Sequence, residues 1–433
     1  MAGAPAPDSV RARVDAYLQH AVRADHFSGT VLVARGGQAV AAQGYGMASY
    51  ELAVPNTPRT RFRIASLTKA FTAAAILLLQ EQGRLRVDDP ICPYLDASLD
   101  RCPPAWRPVT VRHLLTHTSG IPNYTHLPGY EQLAGQAAPE DTLVARFRDP
   151  PLDFPPGTQY RYSNSGYHLL GLIIERVSGQ AYGAFLRDHV FEPLGMHDTG
   201  RDDGRAVIPN RADGYTMDRE TRVRARYQEM TATHAEGGLS STAPDLLRWD
   251  QALSAGTLLS RASLQAMFTP GLAGYGYGWD VARRFGRPET HHLGRLFGFT
   301  AYISRLPAAG AVEGVTVIVL SNNEAADVER VATDLAAIGL GARRLAPALL
   351  AAYAGTYADS PTTTVTITAA DGRLFAQGTG SGTTGLYARS ETRFFMANAD
   401  AELAFHRDGG GRVAFLTLRS GGHETTARRL GDP

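Results

Sequence analysis

Ser66 and Lys69 stand three residues apart in a stretch, Phe62 to Leu79, that is rich in Ala and Leu and free of Gly and Pro. The pattern predicts one long buried helix on which positions i and i+3 share a face, so the serine hydroxyl and the lysine amine can touch. A serine in a first helical turn also lies among unpaired backbone N–H groups, at the positive end of the helix dipole. Neutral serine is a weak nucleophile and needs a base within hydrogen-bond reach. A lysine sunk in an apolar helix base gives up its proton more readily, because desolvation disfavours the ammonium. The pair therefore spells an activated serine, although S-x-x-K alone is a short pattern that chance also produces.

Two more groups extend this chemistry. Tyr162 and Asn164 follow a Pro155-Pro156-Gly157 turn and precede a helical run, His168 to Glu175. Two residues apart on a turning segment, they can project into one cavity. There a phenol beside a lysine can be held as phenolate or shuttle protons, and an amide can orient a carbonyl. Taken by itself the segment also reads as an aromatic-rich turn packed under a helix. His292-Leu293-Gly294 comes before two expected strands, Thr300 to Ser304 and Gly314 to Leu320. Glycine at 294 suits a strand against which a substrate backbone lies, or an ordinary strand bend.

The order S-x-x-K, Y-x-N, H-x-G resembles the penicillin-binding-protein and class C β-lactamase-like serine hydrolases, over roughly residues 10 to 340. A sister branch carries S-x-x-K, S-D-N and K-T-G; the Tyr and His variants stand here. Leu114 to Pro122, Glu192 to Met196 and Gly237 to Thr242 are similar to that family as well. The resemblance implies Ser66 as acylated nucleophile, Lys69 as its partner and Tyr162 as the proton-transfer residue. It further implies Asn164 on the acyl amide and His292 completing the polar wall. The backbone N–H groups of Ser66 and Arg295 would form the oxyanion hole, and Leu293, Gly294 and Arg295 would border the substrate. His117 is expected to brace its loop before Gly120 and Pro122 rather than to act on substrate.

Family members acting on a free C-terminal carboxylate usually present a hydroxyl in the middle of the third motif. Leu293 occupies that place here, which turns the expectation away from β-lactams and D-Ala-D-Ala peptides. It points instead to peptidyl thioesters or esters, released or cyclised as by penicillin-binding-protein-type thioesterases, with a peptidyl carrier protein as a candidate partner. Arg295 cuts the other way, since a guanidinium can hold a carboxylate. The alternatives are a D-stereospecific peptidase, amidase or esterase, a β-lactamase-like hydrolase and, remotely, an inactive scaffold. An α/β-hydrolase would need G-x-S-x-G, which does not occur.

The frame is that of an ordinary enzyme. The chain has 433 residues, 44% hydrophobic and 20% charged, enough for a large core and more than one domain. A net charge of +1 offers no basic face for nucleic acid or an anionic membrane. No apolar run reaches the ~18 residues of a membrane span. Met1 to Asp8 shows neither a basic nor an apolar leader region, which leads us to expect either a cytoplasmic protein or the trimmed form of an exported one. Cys92 and Cys102 can be bridged across a short loop or remain free; they are too few for a zinc site, and no metal or cofactor is expected.

Residues 9–25 read as an amphipathic helix, and strands at Gly29–Ala34 and Gln38–Tyr45 open an antiparallel sheet that the strands after His292 complete. The fold expected is α+β, β-lactamase/transpeptidase-like, over residues 1–344. From Tyr353 to Leu430 short alternating runs such as Thr363-Val365-Ile367, Arg373 to Phe375 and Glu402 to Phe405 are separated by turns such as Asp408 to Gly411. That texture predicts a small antiparallel barrel over 345–433. It resembles the lipocalin-like domain appended to some family members, with a packing or lid role.

Overall fold

The computed structural model describes residues 9–24, 27–95, 102–137 and 140–430. Met1 to Asp8 lie outside the described residues, as does Asp25, the end of the expected first helix. That helix, α1, spans Val10–Ala24. Six strands form the main sheet: β1 (Gly29–Arg35), β2 (Gln38–Tyr45), β3 (Asp280–Arg284), β4 (Arg287–Leu296), β5 (Phe299–Leu306) and β6 (Val315–Ser321). Their spatial order is β3-β4-β5-β6-β1-β2, every pair antiparallel. The first and last strands of the catalytic region thus meet at the centre, Leu32 opposite Ile318.

The central strands β1, β5 and β6 are buried almost throughout because both faces are covered. Alternate residues enter alternate cores. Val31, Val33, Val317 and Val319 pack with Val14 and Leu18 of α1 and with Val331 and Leu335 of the C-terminal helix Val328–Gly339. Leu32, Ile303, Ile318 and Leu320 face a larger core that contains α2 (Thr68–Glu81) and α3 (Asn164–Ser178). Ala70 to Leu77 of α2 are buried without interruption, as expected of a helix that is apolar all round.

One expected element divides into three. Phe62 to Leu79 is not a single helix. Phe62–Arg63 is a strand paired with Ser241 and Ser240, Ala65–Leu67 is a 3-10 turn, and the α-helix starts at Thr68. Backbone pairing overrides propensity here: the Ile64 N–H bonds to the Leu239 carbonyl at 3.0 Å. Ala65 then takes a φ of +47°, which no continuing right-handed helix permits.

After Pro347–Tyr353, a short helix, eight strands from Gly355–Ala358 to His423–Arg429 close into a barrel, the last strand pairing with the first through Tyr357 and Arg429. Its interior holds Tyr353, Ile367, Leu374, Leu386, Phe394, Phe405 and Leu416. The barrel sits on the β3–β4 hairpin and on the Val328–Gly339 helix. The Phe285 N–H donates to the Ala397 carbonyl at 2.9 Å, and the Asp334 carboxylate accepts from Arg373 and from Tyr387. Cys92 and Cys102 are disulfide-bonded. No helix among the described residues is long and apolar enough to cross a membrane.

Candidate active site

Ser66 occupies the middle of the 3-10 turn, directly after the strained Ala65. Non-glycine residues with positive φ cost free energy and persist only where surrounding structure dictates them. Here the dictation comes from both sides: Ile64 is tied to Leu239, and the Leu239 N–H in turn donates to Thr68 Oγ1 at 3.2 Å. The turn delivers a half-exposed Ser66 hydroxyl above a fully buried Lys69.

Lys69 Nζ lies 3.1 Å from Ser66 Oγ, 2.8 Å from Asn164 Oδ1 and 2.7 Å from the Glu236 carbonyl oxygen. Burial pulls its pKa down to about 7, against the opposing pull of the Glu236 carboxylate. A substantial fraction of Lys69 is therefore free amine near neutrality, as a base for Ser66 requires.

Tyr162 and Asn164 reach this point from the mouth of α3. Ser163 caps that helix, its side chain accepting from the Gly166 N–H, so Asn164 is the first helical residue. The Tyr162 phenol interacts with the Ser66 hydroxyl, while its ring lies 4.9 Å from Lys69 Nζ. Burial pushes the phenol pKa well above its usual value, so Tyr162 is a neutral phenol and the phenolate option falls away. Asn164 is engaged at both ends, Oδ1 by Lys69 and Nδ2 by Thr125 Oγ1 at 3.3 Å.

The H-x-G segment lies on β4. His292 is 2% exposed, its Nε2 2.9 Å from the Tyr275 hydroxyl and its Nδ1 2.9 Å from the Leu293 carbonyl. A carbonyl only accepts, so Nδ1 carries the proton and Nε2 accepts from Tyr275. Burial, reinforced by Lys69, lowers the His292 pKa to about 3. The ring is thus neutral, and Lys69 alone carries titrating charge at the centre.

Gly294 has a reason other than substrate approach. A Cβ there would stand 2.3 Å from the Ile64 carbonyl oxygen and 3.3 Å from Ala65 Cβ. The absence of a side chain lets β4 press against the Ser66 turn, a packing reason that stands beside the substrate approach expected of this glycine. Leu293 pairs with Tyr302 and packs, half-buried, on the terminal-helix side of the sheet. Arg295 is exposed and makes no ion pair among the described residues. Among the described residues β4 has no strand partner on its outer side beyond His291, because β3 pairs only up to the His291–Asp280 step. This stretch of β4 without an outer strand partner lies against the turn that carries Ser66, Gly294 next to Ile64 and Ala65.

His117, expected as a loop brace, has a φ of +56° and accepts the Ser163 N–H at Nδ1, 3.1 Å away. Its carbonyl accepts from the Arg161 N–H. Both bonds anchor the segment that carries Tyr162, whose ring centroid is 4.2 Å from the His117 ring. Sequence reasoning missed Glu236 altogether. Its carboxylate is 3% exposed and is held well below the usual range, to about 2: burial opposes ionisation, but the neighbouring His168 ring and the His234 N–H favour it. No sequence signal marked it: Glu236 stands between His234 and Gly237-Gly238 in a stretch of small and polar residues that reads as a loop.

Comparison with known proteins agrees with this geometry. The Beta-lactamase family matches residues 14–341, and a "Domain of unknown function (DUF3471)" matches 341–429. Penicillin-binding protein 4* of Bacillus subtilis (strain 168) is 30% identical over 93% of this chain and 95% of its own. The octameric penicillin-binding protein homologue from Pyrococcus abyssi superposes with a TM-score of 0.67 at 26% identity, covering 96% of this chain and 99% of the other. A D-stereospecific amidohydrolase from Streptomyces sp. gives 0.63 at 27% identity, covering 74% and 97%. The eight-stranded barrel fits the lipocalin-like domain that the resemblance implied. With its family match spanning most of the chain and Lys69 poised beneath Ser66, this chain belongs to the beta-lactamase family, as a serine hydrolase of the penicillin-binding-protein type.

Proposed function

We propose that this enzyme forms an acyl-enzyme at Ser66 from peptides or amides that present a D-residue on the acyl side, and resolves it with water. The observation that carries the chemistry is the 3.1 Å contact of a buried, near-neutral Lys69 with Ser66. The substrate class is supported by the likeness to the D-stereospecific amidohydrolase. In this reading Lys69, as free amine, takes the Ser66 proton while Oγ bonds to the substrate carbonyl carbon. The Ser66 and Arg295 N–H groups receive the oxyanion, a contribution typically of ~2.7–4 kcal/mol per donor. Tyr162 relays the proton to the departing nitrogen, the C–N bond breaks, and the amine leaves. Water then attacks the ester with its proton passing back through the same groups, and Ser66 is regenerated. The open edge of β4 supports the role of a docking strand for an extended acyl chain.

The test is a pair of aminoacyl p-nitroanilides differing only in chirality, followed by colour release and by the intact mass of the protein. The D-form should turn over faster and add its acyl mass to the wild type but not to Ser66→Ala. Equal rates for the two forms would remove the stereochemical part of this reading, and acylation of Ser66→Ala would remove all of it.

Leu293 favours a second reading, transfer of a peptidyl group from a thioester or ester to an amine, on a carrier protein or free. Its side chain donates no hydrogen bond and packs into apolar surroundings, so it offers nothing to a substrate carboxylate. A peptide thioester with a free N-terminal amine would return a cyclic product under this reading and only linear acid under the first.

A further inference from the structure

Lys69 is held by two arms, and both are tied together beneath it. One arm is Asn164 Oδ1 on α3; the other is the Glu236 backbone carbonyl. The Glu236 side chain turns back under this contact into a closed pocket. There Oε1 accepts from the Tyr124 hydroxyl at 2.8 Å and from the His234 N–H at 2.9 Å, while Oε2 lies 3.5 Å from His168 Nδ1. His168 stands one helical turn beyond Asn164 on α3. Contacts therefore run in a ring from Lys69 through Asn164, α3, His168 and Glu236 back to Lys69, closed between His168 and Glu236 by proximity at 3.5 Å rather than by a hydrogen bond.

An ionised carboxylate sealed from water is costly unless it is hydrogen-bonded and opposed by charge. A neutral glutamine of the same shape would complete the ring without that cost. Other groups near Lys69 carry no charge. His117 and His292 are kept neutral by burial, and Tyr162 and Tyr167 stay phenols for the same reason. On the far side of the carboxylate, Tyr130 and Tyr182 are likewise pushed up by burial and neutral. Glu236 is the one full charge acting on Lys69 among the described residues.

Resting on the acyl-enzyme reading above, we propose that Glu236 is a positioning residue. Its clamped carboxylate fixes the carbonyl that receives one Lys69 N–H and supplies the buried counter-charge of the Lys69 ammonium. Glu236 thus stabilises the protonated lysine, and the depth of burial sets the opposing pull.

The test follows the rate at which a fluorophosphonate labels Ser66, read by intact mass across the neutral pH range. In this reaction the Oγ–P bond forms, fluoride leaves, and Lys69 takes the serine proton. Glu236→Gln should move the acid limb of the profile to lower pH by at least ~0.5 unit and slow the plateau several-fold. Glu236→Asp, which keeps the charge, should leave the limb where the wild type has it. A folded Glu236→Gln with wild-type limb and plateau overturns the proposal. Should Glu236→Gln show no cooperative melting transition, Tyr124→Phe decides, because it keeps the charge and removes one clamp. Several-fold slower labelling supports the proposal, and a wild-type rate overturns it. A wild type that takes no label at Ser66 would instead overturn the acyl-enzyme reading on which it rests.

Discussion

Lys69 connects catalysis and stability through a single proton. Because it acts as free amine, acylation of Ser66 should rise as pH passes about 7 and level off above it. The folded-state pKa lies below the ordinary value of 10.5, so between the two the unfolded chain binds the extra proton. Stability must then increase with pH across that window, and the cost of burying the ammonium is fully present below it. Relative to Lys69→Met, the wild type should gain melting temperature as pH climbs from 7 toward 10.5; a constant difference would show that Lys69 does not titrate there. Tyr162→Phe keeps the ring and removes the phenol, and acylation and turnover should fall together by ~10²–10⁴-fold, measured with a chromogenic ester. Ser66, Lys69, Tyr162 and Asn164 could be found from the sequence because their spacing is itself the chemistry. Glu236 could not, because nothing but the fold shows that a charged residue in a surface-like loop motif is closed off from water.

Among elements, the opening strands of the sheet, Gly29–Ala34 and Gln38–Tyr45, were legible in the sequence, as were the period-two runs of the barrel such as Glu402 to Phe405. The break before Thr68 was not. An Ala- and Leu-rich run carries strong local helix propensity, and what defeats it is the non-local bond of Ile64 to Leu239. That break leaves the turn that carries Ser66 lying against β4. Gly294→Ala tests the fit of these two elements. Its Cβ would lie 2.3 Å from the Ile64 oxygen, so either the turn or the strand must shift. Misplacement by about 1 Å can cost ~10²-fold in rate. Ser66 labelling should fall by at least that factor, with a lower melting temperature; near wild-type labelling would mean that β4 does not set the position of the turn.

For the whole molecule, the barrel reads as a brace. Its contacts fall on the β3–β4 hairpin and on the Val328–Gly339 helix, whereas Ser66 faces the opposite end of β4. Asp334 joins Tyr17 of α1, Arg373 and Tyr387 of the barrel in one polar knot. Asp334→Asn would leave Arg373 short of its counter-charge and should cost ~1–3 kcal/mol of stability, read as a lower melting temperature with Ser66 labelling unchanged. A large loss of labelling in that variant would assign the barrel a part in catalysis. The Cys92–Cys102 bridge weighs against the cytoplasmic alternative read from the amino terminus, since disulfides are rare in reducing compartments.

The three neighbours of Lys69 have a directional consequence. An ammonium has three N–H bonds, and it meets three oxygens. Once one proton is gone, two N–H bonds and a lone pair must serve the same three oxygens. The Asn164 amide oxygen and the Glu236 carbonyl can only accept, so each retains an N–H. Only the serine oxygen carries a hydrogen that it can offer in return. The arrangement therefore leaves the vacated orbital one destination, and the loss of a proton from Lys69 reverses a single arrow, the one that points at Ser66.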